Sequence, residues 1–120
     1  MIVLEVNFVS NENDFVSMST NVLGKTKDKK ADTESFEFET RIIPIAMKQI
    51  NEKFNNISLA DNENLCVDMM NVLVENAKQY HYTLKRLGQN EKYPDTYQLE
   101  FRKETDGRFM GTYKEILEKV

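Results

Sequence analysis

The sequence predicts a single two-layer α+β domain over residues 1–120, with a mostly antiparallel sheet covered on one face by two helices. Apolar and polar residues alternate near both ends of the chain, and this period of two indicates half-buried strands. In the middle of the chain apolar residues recur at spacings of three and four, which indicates amphipathic helices. Because strands and helices are segregated, in the order β-β-β-α-α-β-β, the predicted class is α+β.

The N-terminal part of the chain predicts a β-hairpin. Residues 2–9 and 16–22 both alternate with period two, and the turn formers of residues 10–14 separate them. The next stretch, residues 24–34, is polar and rich in lysine, so it is predicted to be an exposed loop.

A third strand is predicted at residues 36–42, where apolar positions alternate with charged ones. Pro44 is expected to end this strand, because proline holds the preceding residue extended and suits the first turn of a helix. A helix is then predicted over residues 45–56, with an apolar stripe of Met47, Ile50, Phe54 and Ile57.

The strongest periodicity predicts a long helix that ends before Gly88. Ser58 and Asp61 have the spacing of a capping box, and Gly88 suits the position just past a helix C-terminus. The apolar stripe of this helix consists of Leu65, Met69, Leu73, Ala77, Tyr80, Leu84 and Leu87.

A second hairpin is predicted to close the sheet. Residues 97–101 alternate, and a three-residue turn at 105–107 would pair Phe101 with Gly111. Residues 116–120 predict a short terminal helical turn.

Composition bounds the cellular setting and the kinds of partner. The net charge of −4 and pI near 5.1 argue against direct binding of nucleic acid. The single cysteine favours a reducing compartment, and the absence of a signal-like or membrane-length apolar run favours the cytoplasm and no membrane partner. Twelve lysines against four arginines, with twelve asparagines, suggest an AT-rich bacterium or its phage.

Motifs that would carry catalysis or bind a cofactor are weak in this sequence. Residues 24–26 read Gly-Lys-Thr, but Ser19 stands where a phosphate loop needs its first glycine. Cys66 and His81 lie fifteen residues apart on the predicted long helix, which separates them by roughly 22 Å. The oxygen-rich run at residues 61–64 lacks the glycine of a calcium loop. The sequence therefore predicts no cofactor, no metal and no catalytic residues.

Two acidic runs are the remaining candidates for a functional surface. Asp61, Asp68 and Glu75 recur at sevens on the predicted long helix, so they would form an exposed stripe offset from the apolar one. The candidate partner-binding residues are Asp61, Glu63, Asp68, Glu75, Glu37 and Glu39.

The function that this pattern favours is a non-enzymatic protein-binding module with a protein partner of basic character. An inhibitor, an immunity protein or another accessory protein would be typical of such a module. One alternative is a structural subunit of a virion or other assembly, for which a homo-oligomer would be expected. A second alternative is a small enzyme that uses carboxylates in a pocket.

Overall fold

The computed structural model of the chain describes residues 1–23 and 29–104, the first four of the second range by their backbone alone. The strands in this part of the chain are β1 (Ile2–Ser10), β2 (Val16–Leu23), β3 (Tyr82–Gln89) and β4 (Thr96–Lys103). The helices are α1 (Lys29–Glu37), α2 (Ile43–Lys53) and α3 (Leu65–Gln79), and a π-helical turn (Phe38–Ile42) joins α1 to α2.

The four strands form one antiparallel sheet in the order β2-β1-β4-β3. The helices cover one of its faces, so the predicted two-layer α+β class is confirmed. In β1, one of the two central strands, every second side chain from Ile2 to Phe8 is buried, as the alternation predicted. These side chains are Ile2, Leu4, Val6 and Phe8.

The predicted third strand at residues 36–42 is wrong, because this segment is helical. Phe38 and Ile42 are both fully buried, and Ala46 and Ile50 continue the same spacing of four into α2. Phe38 packs against two aromatic rings of the sheet, with ring centroids 4.7 Å from Tyr82 and 5.2 Å from Phe101. A helix buries all of these apolar residues on one side, and this burial decides the structure although the local alternation also fits a strand.

The π-helical turn lies just before Pro44, which occupies the first turn of α2. Proline has no N–H to donate, and its ring crowds the carbonyl of the residue four positions earlier. The backbone widens here, and the N–H of Ile43 bonds the carbonyl of Phe38, five residues back. Pro44 thus widens a continuous helical segment instead of ending a strand.

The predicted loop at residues 24–34 is also partly wrong. Helix α1 begins at Lys29, and the side chains of Glu34 and Ser35 near its end are buried. The Gly-Lys-Thr sequence at residues 24–26 lies outside the described residues. Helix α1, which the sequence did not predict, begins three residues later.

The predicted long helix is divided between α3 and β3. Helix α3 ends at Gln79, Tyr80 caps it, and His81 turns the chain with a φ of 69°. Gly88 therefore lies inside a strand and not beyond a helix.

The strand predicted at residues 97–101 is confirmed as β4, but its predicted pairing is wrong. Phe101 lies opposite Ile2 of β1 on one side and Leu84 of β3 on the other. Neither edge of β4 is left for the predicted pairing with Gly111. The predicted turn at 105–107 and the helical turn at 116–120 lie outside the described residues.

Candidate functional site

The segment that leads into α3 is held by a network of short polar contacts. The backbone N–H of Asp61 donates to Ser58 Oγ at 3.3 Å, and the N–H of Ser58 donates to Asp61 Oδ2 at 3.3 Å. This reciprocal pair is the predicted capping box. It closes a separate turn, however, since α3 begins only at Leu65. Asp61 consequently lies outside the helix on which the sequence placed it.

A cleft of about 680 Å³ lies on the outside of α2 and α3. Three carboxylates, one ammonium group and four amides line most of it. The lining residues are Gln49, Glu52, Lys53, Asp68, Asn71, Val72, Glu75, Asn76 and Gln79. We call these residues the acidic cleft.

The acidic cleft holds an excess of negative charge. Its three carboxylates face one lysine of its own, so the lining carries a net formal charge of −2. Asp68 accepts a hydrogen bond from Asn62 Nδ2 at 2.8 Å, which fixes one carboxylate oxygen. Glu75 pairs with Lys78 at 3.2 Å, but both side chains are more than half exposed, and such pairs hold weakly in water. An incoming cation can therefore compete for Glu75.

A hydrogen-bonded amide pair connects the two walls of the acidic cleft, with Asn76 buried and Gln49 exposed. Asn76 is 4% exposed, and its Nδ2 donates to Gln49 Oε1 and to the carbonyl of Val72, both at 2.8 Å. The first bond joins α3 to α2, so it fixes the spacing of the two cleft walls. A buried polar group that is hydrogen-bonded in this way specifies one packing of the helices.

The structure brings only part of the predicted acidic surface together. Asp68 and Glu75 lie on α3 and both line the acidic cleft, although Asp68 is half-buried and not fully exposed as expected. Asp61 and Glu63 are exposed in the turn before α3, beside Asn62, whose side chain contacts Asp68. The turn thus extends the negative surface beyond one end of the cleft.

Glu37 and Glu39 lie elsewhere, because they belong to helical segments and not to one face of a strand. Glu37 ends α1, and its carboxylate accepts a hydrogen bond from Lys103 Nζ at 3.1 Å. Glu39 is exposed on the π-helical turn. Neither residue lines the acidic cleft.

Sequence reasoning missed Gln49, Glu52 and Asn76 as cleft residues. Gln49 and Glu52 are three residues apart on the polar face of the helix predicted at 45–56, so their shared face was visible in the sequence. Asn76 carries no such signal, because one polar residue beside an apolar stripe does not reveal that it is buried.

Lys103, Glu37 and Tyr82 form a second polar cluster, at the end of β4. The Tyr82 hydroxyl is buried and has no hydrogen bond of good geometry. Burial is the main cause that raises the pKa of Tyr82, and the nearby carboxylates of Glu37 and Glu34 raise it further. Lys103 Nζ also lies 5.2 Å from the centre of the Tyr82 ring, where it gains a cation–π contact.

Cys66 and His81 do not share a helix, contrary to the sequence analysis. Cys66 is half-buried in the first turn of α3, whereas His81 is exposed in the turn that follows this helix. Burial raises the pKa of the Cys66 thiol, and the negative charge of Asp95 adds to this effect. A thiol with a raised pKa is a poor nucleophile at neutral pH.

Two negative observations concern the described residues. Within 1–23 and 29–104, no three side chains of His, Cys, Asp or Glu are grouped so that they could hold a metal ion. In the same ranges no helix has the length and apolar character needed to cross a membrane.

Comparison of the chain with protein-family models, with curated proteins and with solved structures finds no match.

Proposed function

We propose that this protein is a non-enzymatic protein-binding module that binds a basic segment of a protein partner in the acidic cleft. The observation that carries the proposal is the lining of the cleft, where three carboxylates meet four amides and one lysine. Carboxylates accept hydrogen bonds from arginine and lysine side chains, and these charge-assisted bonds are stronger than neutral ones. Amides both donate and accept, so they suit the backbone of a bound segment.

Rigidity of the cleft walls supports the same function. The bond between Asn76 and Gln49 links the two helices before any partner arrives. A preformed site loses less conformational entropy on binding than a flexible one. Asp61 and Glu63, beyond one end of the cleft, would add long-range attraction and speed the encounter with a basic partner.

A titration with a short synthetic peptide rich in arginine and lysine tests the proposal. Backbone amide resonances of α2 and α3 should shift as the peptide is added, with the largest shifts at Gln49, Asp68 and Glu75. Affinity should fall as salt is raised, because the attraction is electrostatic. A peptide of the same length rich in glutamate should produce no shifts.

Charge reversal at the cleft supplies the decisive comparison. Asp68→Lys with Glu75→Lys should abolish the shifts. Glu12→Lys with Glu91→Lys changes the net charge equally, at exposed positions in the loops that join β1 to β2 and β3 to β4, and should retain them. Circular dichroism checks that both variants fold. Equal loss of binding in the two variants would show that binding depends only on net charge, and it would contradict the acidic cleft as the binding site.

A further inference from the structure

Strand β2 is an edge of the sheet, and its outer side is open among the described residues. It pairs with β1 on one side only. One isolated bridge, between Phe15 and Ser58, covers the position just before β2 begins. In an antiparallel pair every second residue directs its N–H and C=O away from its neighbour, so about four residues of β2 present unpaired backbone groups.

The two edges of the sheet differ in how they are protected against pairing. Strand β3 carries Lys85 and Arg86, and its register with β4 is interrupted by a bulge between Leu84 and Arg86. Charges and bulges are the usual means by which proteins keep an edge strand from pairing with another chain. Strand β2 has neither, since Val16–Leu23 contains no charged residue and pairs with β1 in an unbroken register.

A groove of about 450 Å³ lies beside the start of β2, and four of the twelve residues that line it are polar. Residues of β2, α2 and α3 line it, and Phe15 at its rim is 37% exposed. Its apolar lining is Phe15, Val16, Met18, Met47, Ile50, Phe54, Ile57 and Met69. A strand added to the edge of β2 would place its inward-facing side chains along this groove, because side chains alternate between the two faces.

We propose that β2 pairs with β2 of a second copy of this chain in an antiparallel, two-fold arrangement that joins the two sheets. The charge pattern selects this occupant. Two uncharged strands place no like charges opposite each other in any register, whereas a pair of β3 strands would bring Lys85 and Arg86 of both copies together. Because the two strands run antiparallel, the end of the added β2 lies beside the start of the first, and Val22 is its inward-facing apolar residue nearest the groove.

The oligomeric state of the full chain tests this pairing. Sedimentation equilibrium over a range of protein concentrations should show a monomer–dimer equilibrium with little dependence on salt. Hydrogen exchange should slow at alternate amides of Val16–Leu23 as concentration rises and stay unchanged in β3. A monomer at all concentrations, or protection confined to β3, would overturn the proposal, and so would binding of unrelated peptides at β2 without self-association.

Two double variants of β2 distinguish the effect of added charge on dimerisation from the effect of replacing the native side chains. Ser17→Lys with Asn21→Lys adds charge at two exposed positions of β2 and should weaken the dimer about tenfold or more, by like-charge repulsion across the two-fold axis. Ser17→Asn with Asn21→Ser changes the same positions without charge and should leave the dimer intact. If both variants dimerise equally well, the interface does not include β2. Thermal unfolding confirms that each variant is folded.

Discussion

The hydroxyl of Tyr82 is buried between the helices and the sheet without a hydrogen bond of good geometry. A buried polar group that lacks a partner costs about 1–3 kcal/mol. Removing it leaves the ring, and hence the contact with Phe38, in place.

Tyr82→Phe is therefore expected to raise the free energy of unfolding by about 1 kcal/mol, measured by urea denaturation. Tyr82→Leu, which also lacks the hydroxyl but loses the ring contacts, should be destabilising and serves as the control. A loss of stability in Tyr82→Phe would mean that the hydroxyl is well bonded to Glu37.

His81 reverses the chain between α3 and β3 in the left-handed conformation, with a φ of 69°. Its N–H bonds the carbonyl of Lys78, so it occupies the position after a helix where glycine is most common. A side chain makes this conformation costly by roughly 1–2 kcal/mol.

His81→Gly should raise the melting temperature, with a gain of about 0.5–1 kcal/mol after the added freedom of glycine in the unfolded chain is subtracted. His81→Ala removes the imidazole but keeps the Cβ, so it should bring no gain. Equal stabilisation by both variants would attribute the effect to the imidazole and not to the backbone.

At the scale of elements, the bond between Asn76 and Gln49 links α3 to α2. Asn76→Ala should destabilise the protein by about 1–2 kcal/mol, because it removes both hydrogen bonds made by this buried amide. In a double-mutant cycle with Gln49→Ala, the coupling energy should be about 0.5–1 kcal/mol. Additive effects would show that the two amides act independently and that the cleft walls are held apart by packing alone.

The bulge in β3 explains why this strand was predicted as helix. Leu84 and Leu87 lie opposite Phe101 and Leu99, so both are on the same face of the sheet, although Leu87 is 52% exposed. The extra residue of the bulge makes their spacing three instead of two. A spacing of three is a helical signal. Nothing in the sequence identifies the bulge. The apolar spacing of the predicted long helix therefore continued into the residues that form β3.

The segment at residues 36–42 was ambiguous in a different way. Phe38 and Ile42 fit both a period of two and a spacing of four, and only the continuation through Ala46, Ile50 and Phe54 separates the two readings. Pro44 interrupts this stripe, which made a strand followed by a helix the simpler interpretation. Strands β1, β2 and β4 were predictable because their alternation has no competing period.

The site was partly predictable for a related reason. Asp68 and Glu75 lie in α3, the part of the predicted long helix that is helical, so they share one helix face as predicted. Asp61 precedes α3, and Glu37 belongs to another helix, so their relation to the cleft depends on chain turns. The spacing of Ser58 and Asp61 predicted their mutual hydrogen bonds, but it did not show that these bonds close a separate turn before α3.

At the scale of the whole molecule, the stability of the fold depends on pH through two side chains, Tyr82 and Cys66, whose pKa values differ between the folded and unfolded states. Burial raises the pKa of both Tyr82 and Cys66 in the folded protein. A raised folded-state pKa gives stability that is complete below the unfolded pKa and is lost as pH rises above it. The unfolded values are about 10 for tyrosine and about 8.5 for cysteine.

The protein should therefore lose stability in alkali, starting near pH 8.5–9 and more steeply above pH 10. Above pH 10, Tyr82 alone should lower the free energy of unfolding by up to about 1.4 kcal/mol per pH unit. Tyr82→Phe should flatten the steeper part of the curve and Cys66→Ser the earlier part, measured by urea denaturation at each pH. Curves parallel to that of the parent chain would assign the alkaline loss to other groups.

The central position of β1 also determines the order in which the sheet can form. One edge of β1 pairs with β2, which follows within a few residues, and the other pairs with β4, whose residues come some ninety positions later. At about 5–20 residues per second, a ribosome takes on the order of 5–20 s to synthesise that stretch. During this interval the hairpin of β1 and β2 exposes an apolar face and an unpaired strand. Nascent chains should accordingly bind chaperones most strongly before β4 emerges, and crosslinking to stalled ribosomes of defined chain length would measure it.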